Sequence, residues 1–143
     1  MTSAIDKRVT AFFEAYATAS LAGDAAAVSD SYFSTYIEAA PSAVEAFKVD
    51  AQYKRAVTAK AEAMRKMGLT ESVISVMRTT PLAPSQLLVE AQWRLLFEPE
   101  GKKTAETTFR ISYVVHLGGD DLKILLALSH EDEEKALQKL DLA

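Results

Sequence analysis

The chain has 143 residues, 49% hydrophobic and 25% charged, with a net charge of −4 at pH 7, which predicts a single domain over 1–143 able to bury its own core. It has no cysteine, which excludes disulfides and thiolate metal sites, and 16 basic residues against 20 acidic ones with no basic run, which argues against a nucleic-acid partner. The opening MTSAIDKRV lacks the apolar stretch of a secretory signal and ILLAL at 124–128 is far too short to cross a bilayer, so a soluble, cytoplasmic protein without a membrane partner is expected.

In chain order, Ile5, Val9, Phe12, Phe13, Tyr16 and Ala19 form one apolar stripe at helical spacing. Ser3 with Asp6 resembles a capping box at the start of that helix. Gly23 suits a left-handed stop, and Asp24 suits the N-cap of a second, short helix reaching about Ser31. Residues 33–39 alternate as a short strand. Pro41-Ser42 then predicts the opening of a long helical segment to Met67, with Tyr53, Val57, Ala61 and Met64 on one face and Gly68 as its stop. Beyond Gly68 the period changes to two. Residues 71–80, 85–98, 103–117 and 121–129 read as four strands in a meander, and HEDEEKALQKL as a terminal helix. Helices first and a sheet second predict α+β, with helices on one face of a mainly antiparallel sheet.

The turn EPEGK at 98–102 suggests a register. Pro99 and Gly101 fit a three-residue loop placing Glu98 opposite Lys102, Arg94 opposite Glu106 and Glu90 opposite Arg110. Opposite charges then share one face, while Val89, Trp93, Leu95 and Phe97 meet Phe109, Ile111 and Tyr113 on the other.

The helix followed by LAGD, the short helix ending near Tyr32-Phe33 and the late SYVVHLGGDDLKILLALS strands resemble the nuclear transport factor 2-like superfamily. The resemblance covers nearly the whole chain. It implies a cone-shaped α+β barrel with an apolar pocket between helices and sheet, often dimeric through the outer sheet face. Ketosteroid isomerase is similar locally, in FEPEGKKT at 97–104 and in a tyrosine eight residues before the Gly-Asp turn, here Tyr16. In that enzyme the tyrosine donates to an oxyanion beside a protonated aspartic acid, and a second aspartate moves the proton. The base position maps onto Ala40 and the second oxyanion position onto Arg110, neither of which has the needed chemistry.

Two candidates for chemistry remain: Tyr16, and Glu38, whose carboxylate would act as a general base if it faced an apolar cone. Phe12, Tyr16, Tyr53, Trp93, Phe109, Ile111 and Tyr113 are the expected ligand wall. The two histidines, His116 and His130, are isolated from spaced carboxylates, so no metal site is expected, and no cofactor is implied. The leading expectation is a binder of a small apolar molecule. A lyase, isomerase or cyclase built on Glu38 and Tyr16 is the alternative, and an assembly module is a third. Arg110, Ser112, Val114 and His116 share the outer face. Over 121–129, strict alternation puts Leu125 and Ala127 on one face and Ile124, Leu126 and Leu128 on the other, so neither is plainly solvated. A homodimer through that outer face is therefore expected.

Overall fold

The first helix, α1 (Ala4–Ala22), buries Val9, Phe13 and Ala17, one residue per turn of an apolar stripe. Ile5 was expected on the same stripe but stays 44% exposed. Asp6 accepts from the Thr79 hydroxyl at 2.6 Å, tying the helix to the sheet, while Ser3 lies outside the described residues. The structure, a computed structural model, describes residues 4–140. Gly23 ends the helix at φ 71°, where an added Cβ would stand 3.0 Å from that of Ala61. Asp24 then caps α2 (Ala25–Asp30), its carboxylate accepting from the Ala27 amide at 3.1 Å.

The next strand, β1 (Tyr32–Ala40), is not followed by a helix. Pro41-Ser42 is the turn of a hairpin that returns as β2 (Ala43–Lys48), with Glu38 opposite Glu45 and Ala40 opposite Ala43. The long helix expected from residue 41 therefore begins ten residues later, as α3 (Ala51–Lys66), where Asp50 accepts from the Tyr53 amide at 2.9 Å. Ala, Glu and Lys in PSAVEAFK favour a helix locally. Pairing with β1 overrides that weak preference.

Four strands follow: β3 (Leu69–Ala83), β4 (Gln86–Phe97), β5 (Ala105–Gly118) and β6 (Asp121–Ser129), then a short helix α4 (Glu133–Gln138). They complete a curved six-stranded sheet in the order β2-β1-β6-β5-β4-β3, antiparallel except where β1 runs parallel to β6. The class is α+β, with the N-terminal helices on the inner face of the sheet. Phe13 of α1 lies against Tyr113 of β5 with ring centroids 4.8 Å apart. Fully buried Val89, Phe97, Val115 and Ile124 continue the core along the sheet. Each such side chain contributes about 1.5–3 kcal/mol by leaving water.

The hairpin joining β4 to β5 corrects the expected register. Phe97 faces Ala105, so Arg94 lies opposite Thr108 rather than Glu106, and Glu90 opposite Ser112 rather than Arg110. The displacement is two residues, which leaves every side chain on its expected face. The shift brings Trp93 opposite Phe109, and Arg110 points away from the helices. Arg94 reaches Glu106 diagonally at 3.1 Å and Glu71 of β3 at 3.0 Å, and Glu90 stands 3.9 Å from Arg78.

A second correction concerns β6. Val114 pairs with Leu126 and Val115 with Ile124, leaving Leu125 as an extra residue in a bulge. Leu122, Ile124 and Ala127 thus share the buried face, and Leu126 and Leu128 share the outer one. The alternation that looked undecided over 121–129 is regular once that residue is removed from the count.

Candidate functional site

Between the helices and the inner face of the sheet lies a cavity of about 620 Å³. Strands β4 and β5 supply Trp93, Phe109, Ile111 and Tyr113 to its wall, because odd-numbered residues of both strands point inward. Helix α3 supplies Tyr53, Val57, Ala61 and Met64, spaced by three or four residues along one face. On β1, Tyr32, Tyr36 and Glu38 have the same parity and face inward, and Phe47 of β2 joins them opposite Tyr36. All five tyrosines of the sequence and its one tryptophan border this cavity.

The phenols are arranged in three hydrogen-bonded groups. The hydroxyls of Tyr16 and Tyr32 bond to each other. Tyr36 donates to Glu38 Oε2 at 2.9 Å and lies 2.8 Å from the Tyr53 hydroxyl. Trp93 Nε1 donates to the Tyr113 hydroxyl at 2.8 Å. Tyr32 and Tyr36 stack with centroids 4.0 Å apart, and Phe47 stacks on Tyr36 at 5.6 Å. Burial pushes all five phenols above their ordinary pKa, because the charged phenolate would be poorly solvated there. For Tyr16 the bond from Tyr32 opposes that rise without cancelling it. Neutral phenols, each holding its proton, are the state in which the cavity exists.

The rim is polar. Lys60 of α3 meets Glu133 of α4 at 3.3 Å, and Asp132 accepts from the Ser42 hydroxyl at 2.7 Å, so α4 is tied both to α3 and to the β1–β2 turn. The Ser42 bond holds the Asp132 carboxyl below the usual carboxylate range. Among the described residues no cluster of three or more metal-ligating side chains occurs.

Of the residues singled out from sequence, Tyr16, Glu38, Tyr53, Trp93, Phe109, Ile111 and Tyr113 all border the cavity. Phe12 does not. It packs edge-on against Phe13 at 5.0 Å, on the flank of the α1 stripe. Glu38 is exposed as a residue, yet its carboxylate takes the Tyr36 hydroxyl at the rim. Tyr16 bonds to another phenol, Tyr32. Tyr32, Tyr36 and Phe47 were not anticipated. Tyr36 stands two residues before Glu38, on the same face of a regular strand, and that parity was the signal available. The histidines lie elsewhere: His116 Nδ1 is 2.9 Å from the Gln86 amide nitrogen, and exposed His130 has Nε2 2.8 Å from the Ser112 hydroxyl.

No family model and no curated protein matches the sequence. Solved structures do match. Aln2 from a Streptomyces species aligns with a TM-score of 0.75 over 96% of this chain and 98% of its own, at 9% identity. An NTF-2 like protein of unknown function from Shewanella oneidensis aligns at 0.64 over 87% and 98%, with 12% identity. The fold is nuclear transport factor 2-like. A ketosteroid isomerase-like protein from Erwinia carotovora atroseptica shares it, at a TM-score of 0.60 and 10% identity over 84% of this chain and 90% of that one. At such identities the likeness concerns the nuclear transport factor 2-like fold and not the chemistry. No helix among the described residues is long and apolar enough to cross a membrane.

Proposed function

We propose that the protein binds a small, largely apolar molecule in the cavity between α3 and the sheet. The observation that carries this reading is a cavity of about 620 Å³ walled by five tyrosines and a tryptophan. Small-molecule sites typically occupy about 300–1,000 Å³, with apolar walls and a few convergent polar groups. Trp93, the only tryptophan, is a built-in reporter. Native mass spectrometry after incubation with a metabolite extract should show a retained small molecule, and that molecule should change Trp93 emission. An extract that leaves both the mass and the emission unaltered would remove the reading.

A second reading is acid–base catalysis, with Glu38 as base and Tyr16 as donor to a developing oxyanion. It is supported by the presence of the Glu38 carboxylate and the Tyr16 hydroxyl on the same cavity. Exchange of α-protons of a cyclic ketone in heavy water, lost in Glu38→Gln, is the expected signature. No exchange above the buffer rate would end it.

For assembly, we propose a homodimer through the outer sheet face. Ile37, Val44 and Leu128 are 43%, 72% and 43% exposed there, on neighbouring strands, beside Arg110, Arg78 and Glu90. A face carrying both charge signs around an apolar row suits a two-fold contact with itself. Sedimentation at micromolar concentration should give twice the chain mass, and Leu128→Lys should return it to one.

A further inference from the structure

We propose that the ligand presents a hydrogen-bond donor, a phenolic or alcoholic hydroxyl or an N–H, to Glu38 at the β1 end of the cavity. This deepens the binding reading above and rests on it. The argument is a count of protons. A phenol has one proton to give and an oxygen that accepts, whereas a carboxylate only accepts. Tyr36 lies between Glu38 and Tyr53, at 2.9 Å and 2.8 Å. Its single proton goes to Glu38, so the proton in the other bond comes from Tyr53. The chain therefore runs Tyr53 to Tyr36 to Glu38, and every proton in it is committed. What remains open at that end is acceptor capacity, chiefly the second oxygen of Glu38.

The opposite end differs. The Tyr113 oxygen receives the Trp93 N–H, so its own proton is not used in that bond, and Tyr16 and Tyr32 hold two protons for the one bond between them. Donor capacity thus sits toward α1 and acceptor capacity at Glu38, and a ligand spanning the cavity meets opposite demands at its two ends. Charge agrees with this order. Of the other acidic side chains on the wall, Glu133 is matched by Lys60 at 3.3 Å, and Asp50 caps α3 by accepting from the Tyr53 amide at 2.9 Å. Lys48 borders the cavity too, but it pairs with Thr35, whose parity on β1 is opposite to that of Tyr36 and Glu38. An anionic group placed at Glu38 would face like charge, while a neutral or cationic donor is welcomed.

Isothermal titration calorimetry with 2-naphthol and 2-methoxynaphthalene tests the proposal, since the two share the ring and the oxygen but only the first has a proton to give. Wild-type protein should bind 2-naphthol tighter by about tenfold or more, the range for a hydrogen bond to a charged acceptor. In Glu38→Gln, checked for an unchanged melting temperature, that preference should fall to about threefold or less. Equal affinities in the wild type, or a preference undiminished in Glu38→Gln, would overturn the donor assignment while leaving the binding reading intact. Failure of both compounds and of naphthalene itself to bind would overturn the binding reading and this inference with it.

Discussion

Along the whole length of β4, an interior strand, buried and half-buried residues alternate without interruption, while β2 at one edge of the sheet has Phe47 alone turned even halfway inward. Between them, β6 carries its bulge, and the pairing of β1 with β6 shifts between Tyr32 and Ile37. The unshifted pair, β4 and β5, packs Phe97 and Val89 out of solvent altogether, and the three extra residues that β3 carries against β4 do not open it. The opposite flank, β1, β2 and α3, holds the stacked tyrosines and Glu38. Regular pairing builds a wall. The space lies across from it, beside β1 and β2, and Glu38 and the Tyr36–Tyr53 pair collect there.

The strongest test of that contrast is a pair of truncations. Phe97→Ala should cost about 3–5 kcal/mol in urea unfolding, as for a phenylalanine removed from a closed core. Phe47→Ala, at a half-buried edge position, should cost no more than about half of that. Equal losses would show that the two flanks are packed alike.

Alkaline pH should single out the tyrosine flank next. Tyr32 and Tyr36 of that flank, and Tyr113 of β5 across the cavity, are buried and their folded pKa values are raised, so stability is fully present below an unfolded phenol's value near 10. Above it the unfolded chain loses protons that the folded one keeps, and stability falls. The slope should approach about 1.4 kcal/mol per pH unit for each such phenol, read from urea midpoints between about pH 9 and 11. Phenolate absorbance should rise together with unfolding rather than ahead of it.

Smaller still is Tyr36→Phe, expected to cost about 1 kcal/mol, because Glu38 at the rim regains water in place of the lost hydroxyl. Smallest is Arg94→Ala. Although Arg94 joins Glu71 and Glu106 across three strands, all three side chains are partly solvated, and double-mutant cycles should return below about 1 kcal/mol for either pair.

These differences also explain what the residues disclosed beforehand. Alternation from Val89 to Phe97 identifies the inner face, and the AGD at 22–24 marks the break between α1 and α2, because both depend on local chemistry. The hairpin register was two residues out for a definite reason: a pattern of period two looks the same after a shift of two, and long arginine and glutamate side chains make diagonal pairs as readily as direct ones. The β1–β2 hairpin was concealed because Ala43, Glu45 and Ala46 suit a helix, and only pairing with β1 decides otherwise. Of the site, the wall from β4, β5 and α3 was legible as apolar periodicity. The Tyr16–Tyr32 and Tyr36–Tyr53 contacts were not, since each joins residues sixteen or seventeen positions apart on different elements.

The extra residue in β6 has a consequence for insertions and deletions. With Leu125 removed, Ile124 and Leu126 would still face Val115 and Val114, and every flanking side chain would keep its side of the sheet. Strand β4 has no such slack. Loss of Gln92 would turn over either the half carrying Val89 and Ala91 or the half carrying Trp93, Leu95 and Phe97, driving polar partners inward. Length variation should therefore be absorbed at 124–126, and at Thr70, Met77 and Leu82, the extra residues of β3 against β4, and rejected along β4, so that a scan of single-codon deletions would trace the spare residues by survival alone.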